Sequence, residues 1–364
     1  MKQYDIAIVG AGIAGASLAA ALAPHASVLL IEGEDAAGYH ATGRSAAFWS
    51  ETYGGPGVQP LTSASGPMLD AGGFLAPLGS LHIGRATDAG AIDAFLAEFE
   101  GTDVLLDRID PATVVPGLRD DWTLGVMEAS SAYIDVAALH ADCIARARRA
   151  GGEMILNAPV RAARREGGQW RVTTAAGDFA TTILVNAAGA WADDVARLAG
   201  AAPIGIQPYR RTMTQLRTDP AAQAGLPLVS DISGKVYFKP EAGGRLWLSP
   251  HDETPVDPCD VQPEELDVAI AIDRFEHVVD WRVTAVERRW AGLRSFAPDR
   301  LPVYGFDAKV AGFFWCAGQG GFGIQTAPAA AALAASLLLG RSAEPFIAAI
   351  DPAPYTPERF RALV

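Results

Sequence analysis

The 364-residue sequence predicts an α/β fold, α+β overall, with one α/β unit interrupted by β-rich insertions. Three observations lead there. The first 31 residues alternate strand, helix, strand around a glycine-rich turn. The same texture returns in the middle of the chain and again at its end. Between these stretches the composition shifts to short β-like runs rich in proline, tryptophan and tyrosine.

Element by element, residues 5–9 form a short apolar run, residues 13–23 are alanine-rich and helix-prone, and residues 28–31 are a second apolar run. Residues 38–45 break into glycine, threonine and serine, the texture of a long loop or of a helix entry. Apolar positions recur at helical spacing over residues 135–150, where Gly151-Gly152 ends the helix. Strands are predicted at 153–160, 169–174 and 182–186, punctuated by turns at Gly167-Gly168 and Ala176-Gly177-Asp178. The stretch 203–290 reads as β segments followed by one helix near 263–279. A strand at 313–317, a glycine cluster and an Ala/Leu helix at 327–339 complete the chain, and that helix is too short to span a bilayer. Segments 1–50, 135–202 and 298–364 are thus expected to build one discontinuous domain. Segments 51–134 and 203–297 are expected to build a second.

Composition removes several function classes. Half the residues are apolar and 20% are charged, which provides a sizeable core and argues against disorder. The net charge of −13 disfavours a nucleic-acid partner and an anionic membrane leaflet. Cys143, Cys259 and Cys316 are scattered without a C-x-x-C, as expected of reduced thiols in a cytoplasmic protein. No metal-ligand spacing is present among the six histidines. The apolar N-terminus has the look of a signal peptide, but the glycine spacing within it gives a better explanation.

That spacing is Gly10-Ala11-Gly12-Ile13-Ala14-Gly15, placed between a predicted strand and a predicted helix. Glu32, beside Gly33, ends the next strand seventeen residues after Gly15. Such glycines allow a tight turn, close approach of a pyrophosphate and close helix–strand packing. The helix N-terminus faces the phosphates, and the acid accepts from ribose hydroxyls. The motif predicts dinucleotide binding but does not separate FAD from NAD. Two later stretches favour FAD. Residues 183–186 run into Ala187-Ala188-Gly189-Ala190-Trp191, a second close backbone approach. Residues 315–319 run through Gly320, Gly321, Phe322 and Gly323, then Ile324, Gln325 and Thr326, into the last helix. A glycine-lined turn at a helix N-terminus suits the negative charge of a reduced flavin.

With those residues in place, the chain resembles the D-amino-acid oxidase and glycine oxidase family of flavoproteins, and within it the bacterial D-arginine dehydrogenases. The matching blocks are GAGIAGAS (10–17), GYHATGRSAA (38–47), VNAAGAWAD (185–193), WAGLRSF (290–296) and GFFWCAGQGGFGIQT (312–326). They run from one end of the chain to the other. The resemblance implies a glutathione-reductase-like Rossmann domain for FAD and a β-sheet substrate domain roofing the flavin. It implies that Ala41, Thr42, Gly43, Arg44, Ser45, Ala46, Ala47 and Phe48 line the pyrophosphate and flavin, and that Val160 meets the adenine.

A bidentate arginine with a tyrosine hydroxyl is a natural clamp for a carboxylate, although a lone arginine more often makes an ordinary surface ion pair. The resemblance assigns the clamp to Arg294 and Tyr237, with Arg211 beside them. It makes Tyr53 a lid residue, and the Gly321 carbonyl an acceptor for the substrate amine. Two departures bear on the side chain. Phe48 stands where the D-arginine dehydrogenases have histidine, and residues 74–87 contain no Asp or Glu, with Ser80 near the position of the expected acid. No cysteine lies near Arg294, so FAD is expected to be held non-covalently.

The expected reaction is oxidation of a D-amino acid to its imino acid by hydride transfer to flavin, with electrons passing to an acceptor the sequence does not identify. A 2-hydroxy acid or a secondary amine such as sarcosine or proline is an open alternative. So are an NAD-dependent dehydrogenase and a non-catalytic flavin holder, which has no need of a carboxylate clamp.

Overall fold

The computed structural model describes residues 1–363, so the segment expected at 298–364 ends on Val364, outside the described residues. An eight-stranded sheet has a parallel core in the order Glu153–Ile155, Val28–Ile31, Lys2–Val9, Gly177–Asn186 and Phe313–Ala317. Strand Gly177–Asn186 divides its partners. Its first half pairs antiparallel with Gln169–Thr174, and its second half runs parallel to Phe313–Ala317. Val160–Glu166 and Val303–Phe306 add antiparallel edges.

Helices Ile13–Leu22, Val136–Arg149 and Ala327–Leu339 pack together over one face of this sheet. Small side chains let them approach closely: Ala16, Ala19, Ala329 and Ala334 are fully buried there. Local chemistry sets the helix ends. Asp135 accepts from the Ala138 N–H at the start of Val136–Arg149, and Arg146, Arg148 and Arg149 occupy its last turn. Gly340, at φ +61°, ends Ala327–Leu339 in the left-handed conformation.

The insertions build a ten-stranded sheet, mostly antiparallel. Its backbone is the long pair Gln207–Asp219 and Arg282–Phe296, flanked by Arg245–Ser249, Tyr237–Glu241 and Leu228–Asp231. Ser80–Gly84 joins parallel to Leu228–Asp231 and antiparallel to Leu124–Glu128. The chain passes from the first sheet to the second at Gly318, φ +73°, where Gln319–Gly320 pairs with Ser295 and Phe296. A small third sheet holds Phe48–Trp49 against Ala132–Ile134.

The predicted strand 153–160 is two strands. Asn157 takes φ +53° and the chain turns through Ala158 and Pro159 before Val160 opens the next strand. Helices Gln59–Ala71 and Ala89–Glu98 escaped the sequence reading. The first carries Gly66 and Pro67 inside, which interrupt its pattern. A Cβ at Gly66 would meet the Trp49 ring at 2.7 Å.

Candidate active site

The carboxyl ends of the parallel strands open onto a cavity of about 600 Å³ whose other walls come from the ten-stranded sheet. That edge is where open α/β sheets bind ligands. Val9, Ile31 and the residues after Asn186 line it directly.

At the first turn, Gly10 takes φ +102°, and a Cβ there would lie 2.4 Å from the Ala187 carbonyl. Gly12, Ile13 and Ala14 line the cavity. Gly15 does not: a Cβ on it would sit 1.9 Å from the Gly10 carbonyl, so it packs helix against strand. Glu32 accepts the Ala11 N–H at 2.8 Å and the Glu34 N–H at 3.1 Å, one on each oxygen. Each oxygen keeps accepting capacity for a hydroxyl.

The loop through residues 38–48 is strapped to this turn. Thr42 Oγ1 accepts the Ile13 N–H, and buried His140 bonds the Ala11 carbonyl through Nε2 while its ring fills the space beside Gly38. Ala41, Thr42, Arg44, Ser45, Ala46, Ala47 and Phe48 all line the cavity. Gly43 lies behind them, its N–H on the Gly38 carbonyl. The Arg44 guanidinium turns away to Asp260 and the Val261 carbonyl. Gly33, Val160, Ala188, Gly189 and Trp191 line the same space, as do Gly320, Gly321, Gly323 and Ile324.

Besides Gly15 and Gly43, three more of the expected cofactor residues do not reach the cavity. Phe322 packs with Val58 and Phe296, and Thr326 bonds the Phe322 carbonyl. Gln325 is buried behind the wall, with Nε2 on the Tyr53 carbonyl and Thr62 and Oε1 accepting the Ser50 N–H. Conversely, His40 was missed. It lines the cavity next to Trp191 (ring centroids 4.5 Å apart), is held by Glu34, and keeps a buried Nδ1 without a partner.

Arg211, Tyr237, Arg294 and Tyr53 gather at the roof with Met213 and Phe48. The Arg294 guanidinium donates from Nη1 to the Tyr53 hydroxyl at 2.5 Å. Gly321 lies against both: a Cβ there would be 2.3 Å from the Tyr53 oxygen and 3.1 Å from Arg294 Nη1. Arg211 is held by the Asp252 carbonyl at Nε and by Glu253 at Nη2, and its buried Nη1 has no partner. The Tyr237 hydroxyl donates to the Met213 sulfur at 3.1 Å, and its ring stands edge-on to His251. Burial lowers the Arg211 pKa, and the neighbouring Arg294 charge lowers it further. Burial and then those two arginines push His251 down to about 3, so its imidazole is neutral. The arrangement is an electropositive pocket in which a buried Arg211 donor lacks an acceptor among the described residues, suited to a carboxylate.

The glycine-lined turn, the strapped loop and Glu32 are complementary to a dinucleotide, and the cationic roof to an acid substrate. The sequence matches the DAO family, described as FAD dependent oxidoreductase, over residues 5–337. The chain belongs to that family. FAD is accordingly its cofactor, and the cavity residues fit it. The chain is 28% identical over 245 residues to the bifunctional protein ThiO/ThiG of Synechocystis sp., which covers 65% of this chain and 35% of that protein. It is 30% identical over 193 residues to the glycine oxidase of Pseudomonas aeruginosa, 51% of this chain and 48% of that enzyme. The matched region spans under half the length of both curated relatives. Among solved structures, glycine oxidase from Geobacillus kaustophilus superposes with a TM-score of 0.84 at 22% identity over 98% of both chains. L-proline dehydrogenase from P. horikoshii gives 0.86 at 21%, covering 99% of this chain and 98% of that one. Both share the fold.

None of the three cysteines lines the cavity; Cys143 and Cys316 are buried in the core, and burial pushes the Cys316 thiol up to about 12. Among the described residues no cluster offers a metal site, and no helix is long and apolar enough to cross a membrane.

Proposed function

We propose that the chain oxidises a D-amino acid with a neutral side chain to the imino acid, which water then converts to the 2-oxo acid and ammonia. The supporting observation is the roof. Among the described residues, half-buried Arg294 has no carboxylate in direct contact, buried Arg211 presents an unpartnered Nη1, and the Tyr237 hydroxyl has only a sulfur to donate to. A substrate carboxylate satisfies all three. Gly321 offers its carbonyl to the amine, and Tyr53 closes the pocket over Arg294. FAD, held non-covalently, supplies the acceptance of a hydride from the substrate Cα. Segments 1–50, 135–202 and 298–364 hold the cofactor in this reading, and 51–134 with 203–297 hold the substrate.

The motif resemblance to D-arginine dehydrogenases supports an α-amino acid, while the pocket argues against a cationic side chain. Phe48 and Met213 provide apolar contact. Glu51 is taken by Ser63 and Ser130, and Asp231 by Ser233, and neither lines the cavity. Incubation with D-leucine and an artificial electron acceptor tests the reading. It predicts ammonia and 4-methyl-2-oxopentanoate in equal amounts; reduction of the acceptor without ammonia would refute it.

A further inference from the structure

The residues that hold Tyr53 in place point to a positioning role for a buried acid outside the clamp. Tyr53 lies on a loop of turns, residues 50–55, that no sheet or helix holds. Its carbonyl takes Gln325 Nε2 at 2.9 Å from the cofactor side. On the roof side, Glu128 at the end of strand Leu124–Glu128 reaches into the loop. Its Oε2 accepts from the Ser50 hydroxyl at 2.8 Å and the Thr52 hydroxyl at 2.6 Å, and its Oε1 accepts the Glu51 N–H at 2.6 Å. Three consecutive residues before Tyr53 thus converge on one carboxylate.

Glu128 has no exposed surface and, among the described residues, no cationic partner; its hydrogen-bond donors are two hydroxyls and one amide. Burying an acid in this way is unfavourable unless its bonds are good, so the three short contacts fix the loop firmly. Neighbouring His82 is kept neutral by burial, at about 4; its ring packs on Phe95, and among the described residues its side chain has one hydrogen-bond contact, to Thr52 Oγ1 at 3.5 Å. Cross-strand register sets Glu128 directly opposite Ser80, in the acid-free stretch. The region therefore does contain an acid, but its oxygens are committed to the loop.

We propose that Glu128 is a positioning residue that sets the carboxylate clamp through Tyr53, holding the Tyr53 hydroxyl where Arg294 Nη1 meets it. The proposal rests on the clamp reading above. Glu128→Met keeps the length of the side chain and removes all three acceptor contacts, whereas an amide could still donate to both hydroxyls and accept the Glu51 N–H.

Hydrogen exchange reads the loop without any ligand. In FAD-loaded Glu128→Met, the amides of Tyr53 and Gly55 should exchange about tenfold faster or more, with helix Ala327–Leu339 unchanged. Benzoate, titrated as a carboxylate probe by flavin absorbance, should bind about tenfold more weakly to Glu128→Met, but lose less than about twofold when the change is added to Tyr53→Phe. If Glu128→Met fails to fold, Thr52→Val, which leaves the acid in place, carries the same cycle. Unchanged exchange at Tyr53 and Gly55, equal acceleration in the helix, or an undiminished effect in the Tyr53→Phe background would overturn the proposal. Failure of Tyr53→Phe alone to weaken benzoate would instead contradict the clamp reading of Tyr53.

Discussion

Arg294 and Tyr53, 241 positions apart in the chain, meet at 2.5 Å, and the space beside them is kept open by the missing side chain of Gly321. The phenol oxygen of Tyr53, that of Tyr237, and then Glu253 and Asp252 hold the Arg294 charge against the burial that disfavours it. A charged guanidinium with no carboxylate in direct contact among the described residues is suited to an incoming anion.

Arg294→Met should therefore raise KM for an amino-acid substrate roughly 30-fold or more, since removing one partner of a desolvated charge pair costs on the order of 2–5 kcal/mol. FAD content, read by absorbance, should stay at the wild-type level. Normal substrate binding by this variant would place the carboxylate elsewhere.

Gly321→Ala should act on the same contact from the other side. Its Cβ would overlap the Tyr53 hydroxyl, which must swing away from Arg294. Overpacking of this kind costs about 1–3 kcal/mol, so substrate affinity should fall on the order of tenfold. Steady-state kinetics with FAD in excess measures it.

Glu32→Ala should weaken FAD by about 1.5–3 kcal/mol, the usual worth of a charge-assisted hydrogen bond. The variant also frees the Ala11 and Glu34 N–H groups that Glu32 holds, which loosens the turn under the pyrophosphate. Titration of the apo-protein with FAD reads the change directly, and an unaltered Kd would reduce Glu32 to a structural acid.

Side-chain preference follows from the roof of the cavity, where none of the described lining residues is an acid. A D-arginine or D-lysine head group would lose its water against Phe48 and Met213, at a cost of several kcal/mol without a partner. Values of kcat/KM for D-leucine, D-phenylalanine and D-methionine should exceed that for D-arginine. A reversed order would mean that an acid, Glu128 or Glu253 among the candidates, leaves its present partners to meet the substrate.

The cofactor half of the site was legible because its chemistry is local. Gly10, Gly12 and Glu32 sit at spacings that one strand–turn–helix–strand unit imposes. The loop residues 41–48 were reached through resemblance, and their strap to the first turn depends on His140, which no nearby motif announces. The split at Asn157 was hidden because a left-handed asparagine inside an apolar run leaves no period behind. Gln325 and Phe322 follow the glycine cluster directly but face the packed side of the turn, a direction that spacing alone does not reveal. Glu128 was invisible for another reason: its neighbourhood is set by cross-strand register, Ser80 opposite Glu128. His251, Asp252 and Glu253, beside Tyr237 and Arg211, likewise come into place only when Arg245–Ser249 and Thr254–Pro255 pair with Gln207–Asp219.

The central claim is that this flavin accepts a hydride from a D-amino acid held by its carboxylate. Anaerobic mixing of the purified FAD-loaded protein with D-leucine, L-leucine, L-proline, sarcosine and D-lactate, followed by flavin absorbance, tests it in one experiment. The account predicts loss of the oxidised-flavin absorbance with D-leucine and none with its enantiomer. Bleaching by L-leucine, or by D-lactate, L-proline or sarcosine with D-leucine inert, would contradict it.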